Sequence, residues 1–248
     1  MPIDRPPTPD HARLIRKLES IGELSGEDRV ALARLPLEPR TFAVGTDLVR
    51  EGDQPSHCCL VTEGLACRYK LTGEGQRQIM SFHMPGDIPD LQSLHLKVMD
   101  HSVGAVVRTQ VAFILHEHVQ RPIADRLNVG ALLWRDTLID ASIFREWLTG
   151  VGRRSAYARI AHLLCELFVR ARAVGLTHEN SVELPITQSE LGDALGLSAV
   201  HVNRVLQELR GEGLIVNRGK TLVILDWPGL EQAGDFDETY LHIQKTAA

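Results

Sequence analysis

Arginine and asparagine side chains held on one exposed helical face can read guanine and adenine edges through paired hydrogen bonds. Such a face lies between Ile186 and Arg210, in the run ITQSELGDALGLSAVHVNRVLQELR. Val200, Arg204 and Gln207 line it, with His201 and Asn203 at its flanks, and it is polar with hardly any acid. Behind it, Val202, Val205, Leu206 and Leu209 fall at the spacing of a buried helical side. The competing reading is an ordinary helical hairpin with no ligand.

The elements that position this face are legible around it. Thr187 with Glu190 three residues on forms a capping box, so a first helix starts there, with Leu191 and Leu195 as its apolar side. Gly196 suits the left-handed residue that ends a helix, and Ser198 suits the cap of the next one. Two helices in this arrangement form a helix-turn-helix, which lays its second helix in the DNA major groove. After a break at Gly211–Gly213, LIVNRGKTLVIL (214–225) predicts two short strands around Arg218-Gly219-Lys220, a basic hairpin. Helix-turn-helix plus wing makes a winged helix. The candidate DNA-binding residues are Thr187, Gln188, Ser198, Ala199, Val200, His201, Asn203, Arg204, Gln207, Arg218 and Lys220.

The 248 residues leave room for two domains. The apolar fraction of 44% is ordinary for a globular protein, and no apolar run is long enough to cross a membrane. No signal peptide is visible, so a cytoplasmic location is expected, with the four cysteines as reduced thiols. The net charge of −5 counts against nucleic-acid binding, but the acid is uneven. Asp226, Glu231, Asp235, Asp237 and Glu238 sit in the tail against Lys245 alone, whereas the recognition helix and wing hold Arg204, Arg210, Arg218 and Lys220. A local patch of this kind implies modest, salt-dependent affinity.

Residues 1–10 are Pro-rich and expected to be loose. Helices are expected over Ala12–Ile21 and Gly26–Leu35, the second capped by Ser25. Short β-prone runs punctuated by glycine follow. Leu65–Leu71 alternates, a hairpin loop spans Leu71–Gly75 before Gln78–Phe82, and Val103–Leu115 is Val-rich. This pattern predicts an antiparallel β-roll or jelly roll. From about Pro122 to Thr149 the period becomes helical, and Trp134, Thr137, Ala141, Phe144 and Leu148 alternate at spacings of three and four. That seam predicts a parallel homodimer, set against packing wholly on the chain's own β-domain. Gly150-Val151-Gly152 is expected to break the helix as an interdomain hinge, and Arg153–Val174 to form a further amphipathic helix. The fold class is thus α+β: a β-roll over 1–120, a dimerisation helix over 121–150 and a winged helix-turn-helix over 151–248.

With these elements in order, the chain resembles the Crp–Fnr superfamily of bacterial transcription regulators. The likeness rests on the helix-turn-helix run and on the turn glycines of Gly45–Asp53, Thr62–Gly64 and Pro85–Asp87. It implies a homodimer on a two-fold symmetric site in double-stranded DNA, with RNA polymerase as a further partner. It also implies an effector sensed in the β-roll and relayed through the long helix. Its site residues map onto Asp90, Leu91, His101 and Ser102, with Phe144 and Arg145 where the relay meets the pocket, aligned by counting. Cyclic-nucleotide members carry a Glu where Asp90 stands and an Arg where His101 stands. A largely neutral imidazole is a weak substitute for a bidentate guanidinium, so tight cyclic AMP binding is not expected. The effector is therefore an unknown small molecule or none, and a regulator controlled by abundance or a partner is the alternative. Many members also have Glu where Val200 stands; Val200 can touch a thymine methyl, and Arg204 keeps the guanine-reading role.

Other chemistries find less support. Cys58 and Cys59 are neighbours on a strand and point to opposite faces, and Cys67 lies on another, so an iron–sulfur cluster is not expected. His116 and His118, read as sharing a strand face, lack a carboxylate or thiolate constellation for a metal. His83, His95 and His101 gather near the pocket loop without a ligand spacing. A cupin-like metalloenzyme would need three spaced histidines and a Glu on barrel strands. No catalytic triad order or phosphate loop appears. No catalytic residue, metal or cofactor is expected.

Overall fold

The computed structural model describes residues 9–244. Residues 1–8 of the Pro-rich start, and Lys245, lie outside the described residues. By contact density the chain divides into two units. One comprises 1–70, 82–140 and 244–248, the other 71–81 and 141–243.

In the first unit, α1 (Pro9–Glu19) and α2 (Gly26–Ala33) precede the strands, α2 starting in a capping box between Ser25 and Asp28. The strands of the roll are β1 (Glu38–Phe42), β2 (Asp47–Val49), β3 (His57–Glu63), β4 (Ala66–Leu71), β5 (Arg77–His83), β6 (Ser102–Ala105) and β7 (Thr109–Leu115), of which Leu71 and residues 77–81 are counted in the second unit. They form two sheets, ordered β1-β7-β3 and β2-β6-β4-β5. The pairings given for β1–β7, β3–β7, β2–β6 and β4–β6 are all antiparallel. Between the sheets lie Val49, Cys59, Val61, Met99, Val103 and Val111, with Phe42 and Phe113 packed at the edge. Cys58 and Cys59 are both fully buried although they face opposite ways, because β3 is covered on both sides. The roll is therefore the one expected.

The helical region differs in three places. Helix α3 (His116–Asp125) begins where β7 ends and contains Pro122 in its interior. His116 and His118 thus lie in a first helical turn and not on one strand face: pairing of β3 with β7 stops at His57 and Leu115. Arg126, in an extended conformation, separates α3 from α4 (Leu127–Arg153), so the expected single helix is two. Gly150 and Gly152 do not break α4, which runs on to Arg153. A helix-interior glycine costs only about 1 kcal/mol relative to alanine, which a 27-residue helix can bear. The break falls at Arg154–Ser155, where Ser155 caps α5 (Ala156–Ala173).

In the second unit, α5 is buried along most of its length. After it come β8 (Thr177–His178), β9 (Ser181–Glu183), α6 (Gln188–Leu195), α7 (Ala199–Gly211), β10 (Ile215–Arg218), β11 (Thr221–Ile224) and α8 (Trp227–Gly234). The wing is larger than expected, because β8 and β9 extend the hairpin into a sheet ordered β10-β11-β9-β8. The acidic tail is also structured: Asp226 caps α8, and a 3-10 turn spans Glu238–Leu241.

The turn between α6 and α7 depends on two glycines. Gly196 takes the left-handed conformation at φ 66° and closes α6. Gly192, inside α6, lets the backbone fold back so closely that a Cβ there would lie 2.4 Å from the Leu197 carbonyl oxygen. Gly192→Ala is therefore expected to destabilise the second unit by about 1–3 kcal/mol. A lowered urea midpoint would report this, and an unchanged midpoint would mean that the turn moves aside freely.

Candidate nucleic-acid interface and the β-roll pocket

Local rules build α7 as expected. Thr187 and Glu190 form the capping box of α6, and the Ser198 hydroxyl accepts from the His201 N–H to cap α7. Val202, Val205, Leu206 and Leu209 are buried, so the opposite face is turned to solvent. On it Val200 is 82% exposed, and Ser198, Ala199, Arg204 and Gln207 are exposed as well. His201 and Asn203 are half-buried flanks. Thr187 and Gln188 are exposed at the start of α6, and Arg218 and Lys220 at the tip of the wing. The residues proposed from the sequence therefore lie on α6, α7 and the β10–β11 hairpin, all in one unit.

Side-chain bonds pre-arrange this surface, and spacing alone did not reveal them. Arg204 Nη2 donates to His201 Nε2 at 2.9 Å. Gln188 Nε2 donates to Asn203 Oδ1 at 3.4 Å, linking α6 to α7. Arg210 Nη1 donates to Asn217 Oδ1 at 3.3 Å, linking α7 to the wing. The i,i+3 relation of His201 and Arg204 was the one available signal.

In the first unit, the polar groups aligned with an effector pocket already have protein partners. Asp90 is fully buried, and its Oδ1 accepts from the Cys59 N–H at 2.8 Å. Its Oδ2 is buried with no hydrogen-bond partner. Burial pushes this carboxyl above the ordinary carboxylate range. His101 Nδ1 donates to Asp100 Oδ1 at 2.8 Å, and its Nε2 accepts from Gln92 Nε2 at 3.3 Å. Burial, and secondarily the nearby Arg68 guanidinium, hold His101 below its usual value and so neutral. The Ser102 hydroxyl accepts from the Glu51 N–H at 3.0 Å. Leu91 is buried in the 3-10 turn Leu91–Leu94.

Two polar links to the long helix were not legible in the sequence. Arg68 on β4 is bonded through Nη1 to Asp140 of α4, and its Nε donates to the Pro89 carbonyl at 2.7 Å. Lys17 of α1 adds a second tie, pairing with Asp87 at 2.8 Å and Asp136 of α4 at 3.4 Å. Phe144 and Arg145, by contrast, are exposed on α4 and belong to the second unit. Trp134, Ala141, Phe144 and Leu148 of the expected seam are exposed, and Thr137 is half-buried. Leu127, Ala131 and Leu138 extend the exposed stripe at the same alternating spacing. The four cysteines are buried free thiols. Among the described residues no group of three or more His, Cys, Asp or Glu could hold a metal ion.

Comparison with known proteins matches both units. A model described as a Crp-like helix-turn-helix domain matches residues 158–233. A cyclic nucleotide-binding domain model matches residues 39–126. The chain is 28% identical over 201 residues to the transcriptional activator protein FnrL of Cereibacter sphaeroides, covering 79% of this chain and 80% of that one. It is 29% identical over 204 residues to the transcriptional activatory protein AadR of Rhodopseudomonas palustris, covering 82% and 83%. The solved structure of FixK2 from Bradyrhizobium japonicum shares the fold, with a TM-score of 0.72 at 23% identity over 86% of this chain and 100% of that one.

The raised Asp90 carboxyl has a consequence for stability. Folded Asp90 keeps its proton to higher pH than the unfolded chain does. Its contribution is therefore complete below the unfolded value of about 3.9 and is lost as pH rises through the folded value. Asp90→Asn removes this titration. The stability difference between the parent and Asp90→Asn, measured by urea unfolding from about pH 4 to pH 8, is expected to shift against the parent as pH rises. A pH-independent difference would exclude the effect.

Proposed function

The chain belongs to the Crp–Fnr superfamily of DNA-binding transcription regulators, and on that footing we propose that it acts as a homodimer on a two-fold symmetric DNA site. It is a regulator and not an enzyme. The observation that carries the reading of its site is the outward face of α7, where Arg204 stands exposed on a helix fixed by its Ser198 cap and buried valines and leucines. Arg204 reads guanine through its two guanidinium donors, Val200 meets a thymine methyl, and Arg218 and Lys220 meet phosphates. Two subunits joined along α4 present two such helices to two half-sites. RNA polymerase is the partner through which the bound dimer acts, in the cytoplasm.

A second reading, that the regulator works without a small molecule, is favoured by one observation. Asp90 Oδ1, His101 and Ser102 are each bonded within the protein, and the Arg68–Asp140 pair joins β4 to the long helix. An ion pair in that place supplies the link between roll and helix that a bound anion would otherwise make.

Selection from a random DNA pool with purified protein and no added ligand tests both readings. We expect a palindromic site, with affinity falling steeply with salt at a slope of about −0.9 per neutralised phosphate. Sequence-blind binding would overturn ligand independence. Arg204→Ala is expected to cost about 1–3 kcal/mol on the selected site and to relax one base in each half-site. Leu138→Glu, in the exposed stripe of α4, is expected to yield a monomer by light scattering. A dimer retained in that variant would place the interface elsewhere.

A further inference from the structure

Arg204 is a long side chain on an open surface, and such a group reads a base well only if something limits where its guanidinium points. On the face it occupies, Val200 carries no acceptor and Gln207 is not bonded to it. Arg204 is instead bonded to His201, three residues earlier, at 2.9 Å from Nη2 to Nε2. Arg204 has no lone pair to offer, so the bond exists only when His201 Nε2 accepts, which puts the imidazole proton on Nδ1. His201 is itself held. Its backbone N–H is bonded to the Ser198 cap, and its ring is half-buried on the flank of α7. Asn203, the other candidate reader, is fixed by Gln188 in the same manner.

We infer that His201 is the residue that sets base discrimination by Arg204, acting as a hydrogen-bond acceptor that orients the guanidinium before DNA arrives. In this role His201 is a positioning residue and need not touch a base. The inference rests on the reading of Arg204 as a guanine reader, and it assigns the specificity of that reader to its neighbour. Restricting the guanidinium to one edge leaves its free donors aimed together, which a bidentate contact to guanine O6 and N7 requires. An unrestrained Arg204 would still bind the site through charge but would tolerate other bases.

The test uses the full-length protein and the selected palindrome, with a second duplex in which the guanine assigned to Arg204 is replaced by adenine in both half-sites. The readout is the ratio of the two affinities, which a general loss of folding or of phosphate binding leaves unchanged. His201→Ala is expected to lower the ratio by about threefold to tenfold, and His201→Gln, whose amide oxygen can accept in the same place, to keep it within about twofold. In an Arg204→Ala background, His201→Ala is expected to change the ratio no further. An unchanged ratio in His201→Ala overturns the inference, as does an undiminished effect of His201→Ala in the Arg204→Ala background, since His201 would then read DNA by itself. If Arg204→Ala alone leaves the ratio unchanged, the reading of Arg204 fails first and the inference fails with it.

Discussion

The second unit is organised around one buried carboxylate. Glu166 on α5 has no solvent exposure, and three donors converge on it: Trp147 Nε1 and Tyr240 Oη, each at 2.9 Å, and Arg170 Nη1 at 3.1 Å. Taking a carboxylate out of water costs several kcal/mol, so the charge stays inside only while these partners stay in place. They come from three parts of the chain. Trp147 is near the end of α4, Arg170 is one turn along α5, and Tyr240 lies in the last 3-10 turn. Tyr240 also bonds His162 at 3.0 Å, and His162 reaches the Gly234 carbonyl of α8 at 3.1 Å. The acidic tail is thus a structural wall of the DNA-binding unit. A charge that must be satisfied fixes how the end of the long helix meets α5 and how the tail closes on them.

Asp90 in the first unit is the opposite case. It is equally buried, but no cation pairs with it. Its hydrogen bond is to a backbone N–H, and its neighbours are the thiols of Cys58 and Cys59. The same low dielectric that makes Glu166 demand an arginine pushes the Asp90 carboxyl above the ordinary carboxylate range. Burial thus works against charge on both Asp90 and His101, raising the one and lowering the other. The cations nearby, Arg68 and Lys17, already face Asp140, Asp87 and Asp136.

The sequence disclosed what short-range rules govern. A capping box acts over three residues, a left-handed glycine ends a helix by itself, and a hairpin turn needs two residues between strands. The helix-turn-helix, its wing and the strands of the roll followed from such signals. Contacts made between distant residues were not legible. Arg68 stood on the polar side of an alternating strand, but nothing in the spacing pointed to Asp140, 72 positions away. The run of α4 through Gly150 and Gly152 was hidden for another reason: the glycine penalty is small, and tertiary packing of Trp147 and Ile143 outweighs it. The histidine pair at 116 and 118 was misplaced because a strand's end is set by its partner, and its partner was out of view. The tail read as a charge run, although Tyr240 and Leu241 within it are anchored.

The acidity of the chain and the apolar face of α4 are linked through DNA affinity. Four cations near one recognition helix, on a protein of net charge −5, give a single subunit only modest attraction to DNA. Joining two subunits makes the second contact intramolecular, and its effective concentration raises affinity without any new charge. Helix α4 has the surface for that join. Leu132, Leu133, Ile139 and Ile143 are buried within the chain, whereas Leu127, Trp134, Leu138 and Leu148 are exposed on the same helix, Trp134 at 64%. A lone surface helix would carry polar groups there. Burying each such side chain yields about 1.5–3 kcal/mol, and two-fold symmetry counts each residue twice, enough to offset the entropy lost on association. In the homodimer proposed here, the exposed seam on α4 is thus what allows an acidic chain to bind DNA through a small basic patch.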